Sequence, residues 1–526
     1  MKGITILATF LLMFGIEACS SSTTPIDGNE DFAESSSSAK GDNSSSSTIK
    51  DSSSNTNDDD EKETCQGKSG KAWDGSTAKE FACGHGTRLS PYIILTAEQL
   101  AKLSFIVGAK DSNYNADSYF KLGADIILHE EKLIDGNGAL SADSAKLIKW
   151  TPIGNSTVSF AAHFDGDGHS VSGIFINTSS THNGLFGNVS GIVQNVSIKN
   201  SWIKGGKYTA GVVGYNVGTI ENAENEASVT GTDECVGGVV GKTEKKQYKY
   251  NSILNDVSNK GVVTGKDNVG GIAGCAAAVS ITGADNKAEI NGQHLVGGII
   301  GGIGSYSKNN IKKVKNSGKV SGKHFVGGVA GHCGGILTIS AGSIYCLGSY
   351  SCGSINYALN SSNITGENGT AGIIGAACYA NLSNAGNTGN VEGKISTAGI
   401  IGYSGYSTTS SLYNTGKVFG SKNVGGIIGY NQEGVTSSAY TTGKVDGDEN
   451  VGIMIGQNYN TTMADYYYLA QGKQDPFGIN DGGGFATAKT EEEMRTVGFL
   501  ELLGDGFVLV ENSNEGFPLL KWEIAE

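Results

Sequence analysis

Apolar and polar positions recur in this chain with a long, fixed period. One block, Asn423-Val424-Gly425-Gly426-Ile427-Ile428-Gly429, repeats from about residue 184 to residue 456. Taking the glycine before the apolar pair as a marker, copies stand at Gly184, Gly211, Gly238, Gly271, Gly298, Gly328, Gly372, Gly399 and Gly426, and in a degenerate last copy Ile453 takes that place. The successive gaps are 27, 27, 33, 27, 30, 44, 27, 27 and 27 residues. A constant period broken by a few insertions predicts a solenoid. Each turn also carries a second short strand, centred on Val229, Val263, Val320, Val391, Val418 or Val445. Four residues before that aliphatic position stands an asparagine: Asn225, Asn259, Asn286, Asn316, Asn360, Asn387 and Asn414, with Thr441 replacing it in the last turn.

A turn of this size cannot bury its apolar face alone, but it can when stacked on its neighbours. The pattern predicts an all-β fold, a right-handed parallel β-helix of about ten turns with a 27-residue period and small α/β caps. The hand follows from the rule for parallel crossovers. The asparagines are expected to form a stacked amide ladder. The largest insertion, in the 44-residue gap, is expected to leave the rod with much of Gly334 to Gly353. Neighbouring strand residues point to opposite faces, so the apolar pair Ile427-Ile428 poses a choice. Either one residue sits at a corner, or one column faces outward and forms an apolar association stripe.

The flanks read differently. Thr96-Ala97-Glu98-Gln99, followed by Leu100, Leu103 and Val107, is a capping box opening a short amphipathic helix. Tyr119 to Leu122, Ala124 to Leu128 and Val171 to Ile176 read as strands. Residues 65–180 are taken as the N-terminal cap and first irregular turns, 181–465 as the repeats and 466–526 as the C-terminal cap. A second capping box at Thr490 to Glu493 opens a helix in that last segment.

The repeat resembles the GLUG motif of bacterial surface and secreted proteins. The residues that carry the likeness are Val424-Gly425-Gly426-Ile427-Ile428-Gly429-Tyr430-Asn431 and Ser438-Ala439-Tyr440-Thr441-Thr442-Gly443-Lys444-Val445. Phe164-Asp165-Gly166-Asp167-Gly168-His169 and Gly516-Phe517-Pro518-Leu519-Leu520 resemble its flanks. The resemblance implies a β-helix on a cell surface. Some members are immunoglobulin A peptidases, but their activity belongs to a separate zinc domain, and this sequence holds no His-Glu-x-x-His.

The N-terminus changes the picture of location. Lys2 precedes an apolar run from Gly3 to Ile16, the length of a signal-peptide core. Ile16-Glu17-Ala18-Cys19 resembles a lipobox, which implies cleavage after residue 18 and acylation of Cys19; Glu17 departs from the usual small residue. Residues 19–64 then form a serine- and acid-rich tether, in which eleven Asp or Glu and three Lys of residues 20–64 account for −8 of the net charge of −14. Such a segment buries too little apolar surface to fold. Ser20, rather than Asp, follows the cysteine, so an outer-membrane destination facing the cell surface is expected.

With no basic stripe, no nucleic-acid partner is expected. The chain has only two arginines, Arg88 and Arg495, both outside the repeat. Beyond Cys19, eight cysteines fit disulfides in an oxidising compartment. The nearest candidate pairs are Cys65 with Cys83 and Cys346 with Cys352, while Cys235, Cys275 and Cys378 read equally well as small buried core residues. Neither a metal nor another cofactor is expected.

Parallel β-helices also host polysaccharide lyases and hydrolases, so catalysis must be weighed. Asp165 and Asp167 stand two apart and could share a face, as a carboxylate pair for glycoside hydrolysis needs. Their Gly-rich setting reads better as a turn. Gly84-His85-Gly86 matches a piece of the polygalacturonase signature without its companions. Tyr215, Tyr403 and Tyr430 follow the glycine block in three turns, as a stacking platform or as solvated tyrosines. The expected role is adhesin-like binding of glycans or another surface, without catalytic residues. A carbohydrate-active enzyme and a structural envelope spacer are the alternatives.

Overall fold

The computed structural model describes residues 65, 73–111, 114–245, 251–304, 308–340, 343–347, 351–472, 474–511 and 513–525. The signal segment, Cys19 and the tether lie outside the described residues.

The chain is a β-solenoid of about 13 turns, more than the ten that the glycine marker counts. The N-terminal rungs Tyr92–Ile94, Tyr119–Leu122 and His163–Asp165 lack the marker yet join the same parallel ladder. Each regular turn visits four parallel sheets in a fixed order. In the last full turn these strands are Ile428–Gln432, Val435–Thr441, Val445–Asp446 and Glu449–Gly452. The four sheets hold 11, 16, 10 and 8 strands respectively. We call them the glycine sheet, the long sheet, the short sheet and the return sheet.

The choice at Ile427-Ile428 resolves as a corner. Gly426 and Ile427 form the bend between Lys422–Gly425 and Ile428–Gln432. The chain turns between the two apolar side chains, so both point inward. Val212, Val239, Ile299, Ile400 and Ile427 are all 0% exposed, as are Val213, Val240, Ile300, Ile401 and Ile428. An outward apolar stripe is therefore excluded at these columns.

The asparagine column runs inside the next corner, where the long sheet gives way to the short sheet. Nδ2 of Asn225, Asn259, Asn286, Asn316, Asn360 and Asn387 donates to Oδ1 of the asparagine one turn on, at 2.7–2.8 Å. Asn414 donates to Thr441 Oγ1 at 3.3 Å. The same amides donate to the carbonyl two residues on, as Asn286 does to Ala288 at 2.9 Å. Fully buried amides are tolerable because these bonds satisfy them.

All eight of the remaining cysteines are bonded: Cys65–Cys83, Cys235–Cys275, Cys333–Cys352 and Cys346–Cys378. The expected pairing of Cys346 with Cys352 is wrong. The large insertion is an antiparallel hairpin, Ile336–Ser340 with Ser343–Leu347. Cys333 and Cys352 stand where it leaves and rejoins the coil, so they meet each other. Cys346 is on the hairpin itself and reaches Cys378 in the next rung of the glycine sheet. Together with Leu295, Phe325, Ala376 and Tyr403, Cys378 forms an apolar cluster on the outer side of that sheet, with Cys346 packed against it.

The two ends are closed differently. The helix Ala97–Ala109 has the expected capping box at Thr96 and Gln99 and buries Leu100, Leu103 and Val107 against the first rungs. At the far end the coil continues through Thr462–Leu469, Phe477–Asn480 and Thr487–Lys489. The remaining segment then doubles back along the outer side of the long sheet. Met494, Phe499, Leu503, Phe507, Phe517, Leu520 and Trp522 pack on Tyr413, Tyr440 and Tyr467.

Candidate functional site

The long sheet carries a groove of about 640 Å³ at its N-terminal end. Alternation along three strands builds it. Phe120, Phe164 and Val193 point into the core and are at most 1% exposed. Their neighbours point out and align in two columns by register: Tyr119, His163 and Ile192, then Lys121, Asp165 and Gln194. The loop with Arg88, Leu89 and Pro91 forms the rim.

That rim is held from several sides. The Cys65–Cys83 disulfide ties its start. Gly84 and Gly86 have φ of +92° and +75°, and a β-carbon on Gly84 would stand 1.9 Å from the Pro91 carbonyl oxygen. These glycines are explained by a tight loop, and their match to a polygalacturonase fragment needs no catalytic reading.

Three hydrogen bonds fix Asp165 in the groove. It accepts hydrogen bonds from Asp167 N at 2.8 Å, Asn195 Nδ2 at 2.9 Å and Gln194 Nε2 at 3.0 Å. Partial burial pushes its pKa up, but these donors and the Lys121 charge outweigh burial and hold it below the usual carboxylate value. Asp167 is turned away at φ 52° and pairs with Lys121 at 2.9 Å. An ionised, three-fold hydrogen-bonded Asp165 is a poor general acid, whereas a catalytic acid needs a raised pKa.

The rings of Tyr119 and His163 stack at 4.3 Å and 4°. His163 is held below its ordinary pKa first by burial and then by the Arg88 charge, against the opposing effect of Asp117. The groove thus offers a ring stack, one ionised carboxylate, an amide and two cations.

Other sequence candidates lie elsewhere. The asparagine ladder is interior and inaccessible to a ligand. Tyr403 is 1% exposed and its ring stacks on Tyr430 at 5.4 Å, so it offers no free platform. Tyr215 is engaged by Glu244 at 2.8 Å. His294 and His324, in matching places of adjacent rungs, stack at 5.0 Å, and His324 Nδ1 meets Asn368 at 2.9 Å. His332 is buried, which pushes its pKa down to about 4. Among the described residues no group of three or more His, Cys, Asp or Glu could hold a metal ion, and no helix is long and apolar enough to cross a membrane.

Sequence reasoning weighed Asp165 only as a pair with Asp167, set aside in favour of a turn, and missed Arg88, Tyr119, Lys121 and Gln194 beside it. The signal was present as the repeated outward–inward–outward triplets Tyr119-Phe120-Lys121, His163-Phe164-Asp165 and Ile192-Val193-Gln194. Their irregular spacing hid the register.

No protein-family model matches the chain. Halomucin of Haloquadratum walsbyi is 31% identical over 191 residues, covering 35% of this chain and 2% of halomucin. A provisionally named Gly-rich membrane protein of Evansella cellulosilytica is 33% identical over 153 residues, covering 28% of this chain and 16% of that protein. The chain therefore spans only a small part of the curated relatives it matches. A crystal structure provisionally named as an immunoglobulin A1 protease from Bacteroides ovatus aligns over 84% of this chain and 95% of its own, at 15% identity and a TM-score of 0.25. A superposition that loose carries no argument.

Proposed function

We propose that this protein is a lipid-anchored surface rod of the GLUG-repeat type that binds carbohydrate in the Asp165 groove without cleaving it. The single observation that carries the reading is the groove itself, with outward rings beside a carboxylate, an amide and two cations. Sugar recognition calls for such a mixture of flat apolar surface and a few fixed polar groups. Four disulfides accord with an oxidising, extracytoplasmic setting. Relatives named as a halomucin and a membrane protein accord with a surface location. The Cys19 lipid and the tether would hold the rod off an outer membrane, with the groove near the tethered end.

The test incubates the full chain in detergent with a panel of insoluble polysaccharides and scores both retention and released sugar. Retention that is weakened by Gln194→Ala, with no sugar released, is the expected result. Sugar release lost in Asp165→Asn would overturn the non-catalytic reading. Absence of retention on every polysaccharide would leave a structural spacer.

A further inference from the structure

We infer that the groove selects acidic sugars, with Arg88 holding the carboxylate of a uronate-type residue. This deepens the carbohydrate-binding reading and rests on it.

The inference comes from how the groove's charges are already used. Lys121 is committed to Asp167 at 2.9 Å. Asp165 is ionised, and its oxygens are taken up by three neutral donors, Asp167 N, Gln194 Nε2 and Asn195 Nδ2. The Tyr119–His163 stack presents ring faces. Asp117, whose charge also reaches His163, does not line the groove. Arg88 is the cation left over. Among the described residues it has no carboxylate in salt-bridge contact, and its charge is felt at His163 on the groove wall.

The other arginine shows what this chain does with a structural one. Arg495 pairs with Glu491 at 2.6 Å and lies over the Phe517 ring at 4.9 Å. Among the described residues, the remaining cation–carboxylate pairs are formed by lysine, apart from the His169–Asp125 contact. Arg88, by contrast, sits on a loop fixed by a disulfide and two left-handed glycines, at the mouth of the groove. A guanidinium presents a planar fork that matches a carboxylate with two parallel hydrogen bonds. Beside it, the Gln194 amide and the Asp165 carboxylate suit sugar hydroxyls. A pyranose ring bearing a carboxylate satisfies the whole set; a neutral sugar leaves Arg88 unused.

The test uses the full chain in detergent and calorimetric titration at low salt, with tetragalacturonate and its carboxyl-reduced, neutral counterpart. The acidic tetramer should bind roughly ten- to a hundredfold more tightly, the scale of one charge-assisted pair. Arg88→Gln should erase that preference, bringing the acidic tetramer down to the neutral one's affinity, and Arg88→Lys should keep part of it. Arg88 is exposed, so neither change disturbs the core. Equal wild-type affinity for the two tetramers would overturn the acidic preference and leave the carbohydrate reading standing. A preference that survives Arg88→Gln would overturn the role of Arg88. Competition by free acetate as effective as the acidic tetramer would show that no sugar is read. Failure of both tetramers to bind, with no retention on the polysaccharide panel, would remove both readings.

Discussion

Gly271 approaches Asn286 so closely that a β-carbon on the glycine would stand 2.5 Å from the asparagine Cγ, and 2.1 Å from the Gly298 carbonyl oxygen. The two repeating features of the sequence, the marker glycine and the asparagine, are therefore one contact across the inside of the coil. The same meeting occurs at Gly238 with Asn259, Gly298 with Asn316 and Gly399 with Asn414. The Gly271 φ is not in the left-handed range, so the requirement is for space and not for conformational freedom.

Gly271→Ala should therefore destabilise the fold by about 1–3 kcal/mol or more, the cost of overpacking a filled interior. Gly108 is the matched control. It lies in the helix Ala97–Ala109, where a β-carbon would meet nothing within 4 Å. Gly108→Ala should stabilise by roughly 0.5–1 kcal/mol. Urea denaturation of both variants checks the pair, and equal effects would refute the contact argument.

Asn286→Ala removes the acceptor of Asn259 and the donor to Asn316. Leaving buried amide groups unpaired should cost about 1–3 kcal/mol. Asn414→Thr should cost less, because its neighbour one turn on is already Thr441. Comparing the two denaturation midpoints tests whether the ladder matters most in its middle.

Peptide mapping of the unreduced chain should recover Cys346 linked to Cys378 and Cys333 linked to Cys352. A Cys346–Cys352 peptide would contradict the hairpin's placement. Replacing Cys235 and Cys275 together by serine should cost about 2–4 kcal/mol, the usual range for a loop of this length.

The returning C-terminal segment should respond to pH through Glu523. Burial raises its pKa above the ordinary 4.5, against the opposing effects of the Leu520 amide, the Tyr413 hydroxyl and Lys315. A raised folded-state pKa means that the protonated form is favoured in the docked segment. That stabilisation is complete below about pH 4.5 and is lost as pH rises through the higher folded value. Protection against hydrogen exchange over residues 507–522, corrected for the intrinsic pH dependence of exchange, should thus be greatest in acid. Glu523→Gln should flatten this dependence and slow exchange at pH 7; an unchanged pH profile would rule Glu523 out.

Much of the architecture was legible because the coil repeats its physics. Each marker glycine, each inward aliphatic and each asparagine answers the same steric and hydrogen-bonding demand, so the period displays them together. The Thr96 and Thr490 capping boxes were legible for a similar reason, since a helix N-terminus leaves amides that neighbouring side chains must satisfy. What was hidden depends on residues far apart in sequence. Cys346 could not be assigned to Cys378 without knowing that the insertion folds onto the next rung. The groove gathers Arg88, Tyr119, Asp165 and Gln194 from four irregularly spaced segments, and no local pattern joins them. The C-terminal segment looked like an end cap because its apolar residues carry no record of which surface covers them.

That segment has a consequence for how the rod comes apart. In a plain solenoid each rung couples only to its neighbours, so unfolding can advance one rung at a time from an end. Here Trp522 lies 5.4 Å from Lys315 and 5.8 Å from Tyr357, Glu523 meets Tyr413 at 3.0 Å, and Phe499 meets Tyr467 at 5.4 Å. One segment thereby fastens rungs from Asn309–Asn316 through Thr462–Leu469 to each other. The segment binds the C-terminal half into one block, while among the rungs before it the Cys235–Cys275 disulfide ties two neighbouring turns together. Mechanical pulling on the rod would meet its greatest resistance where the chain folds back on itself.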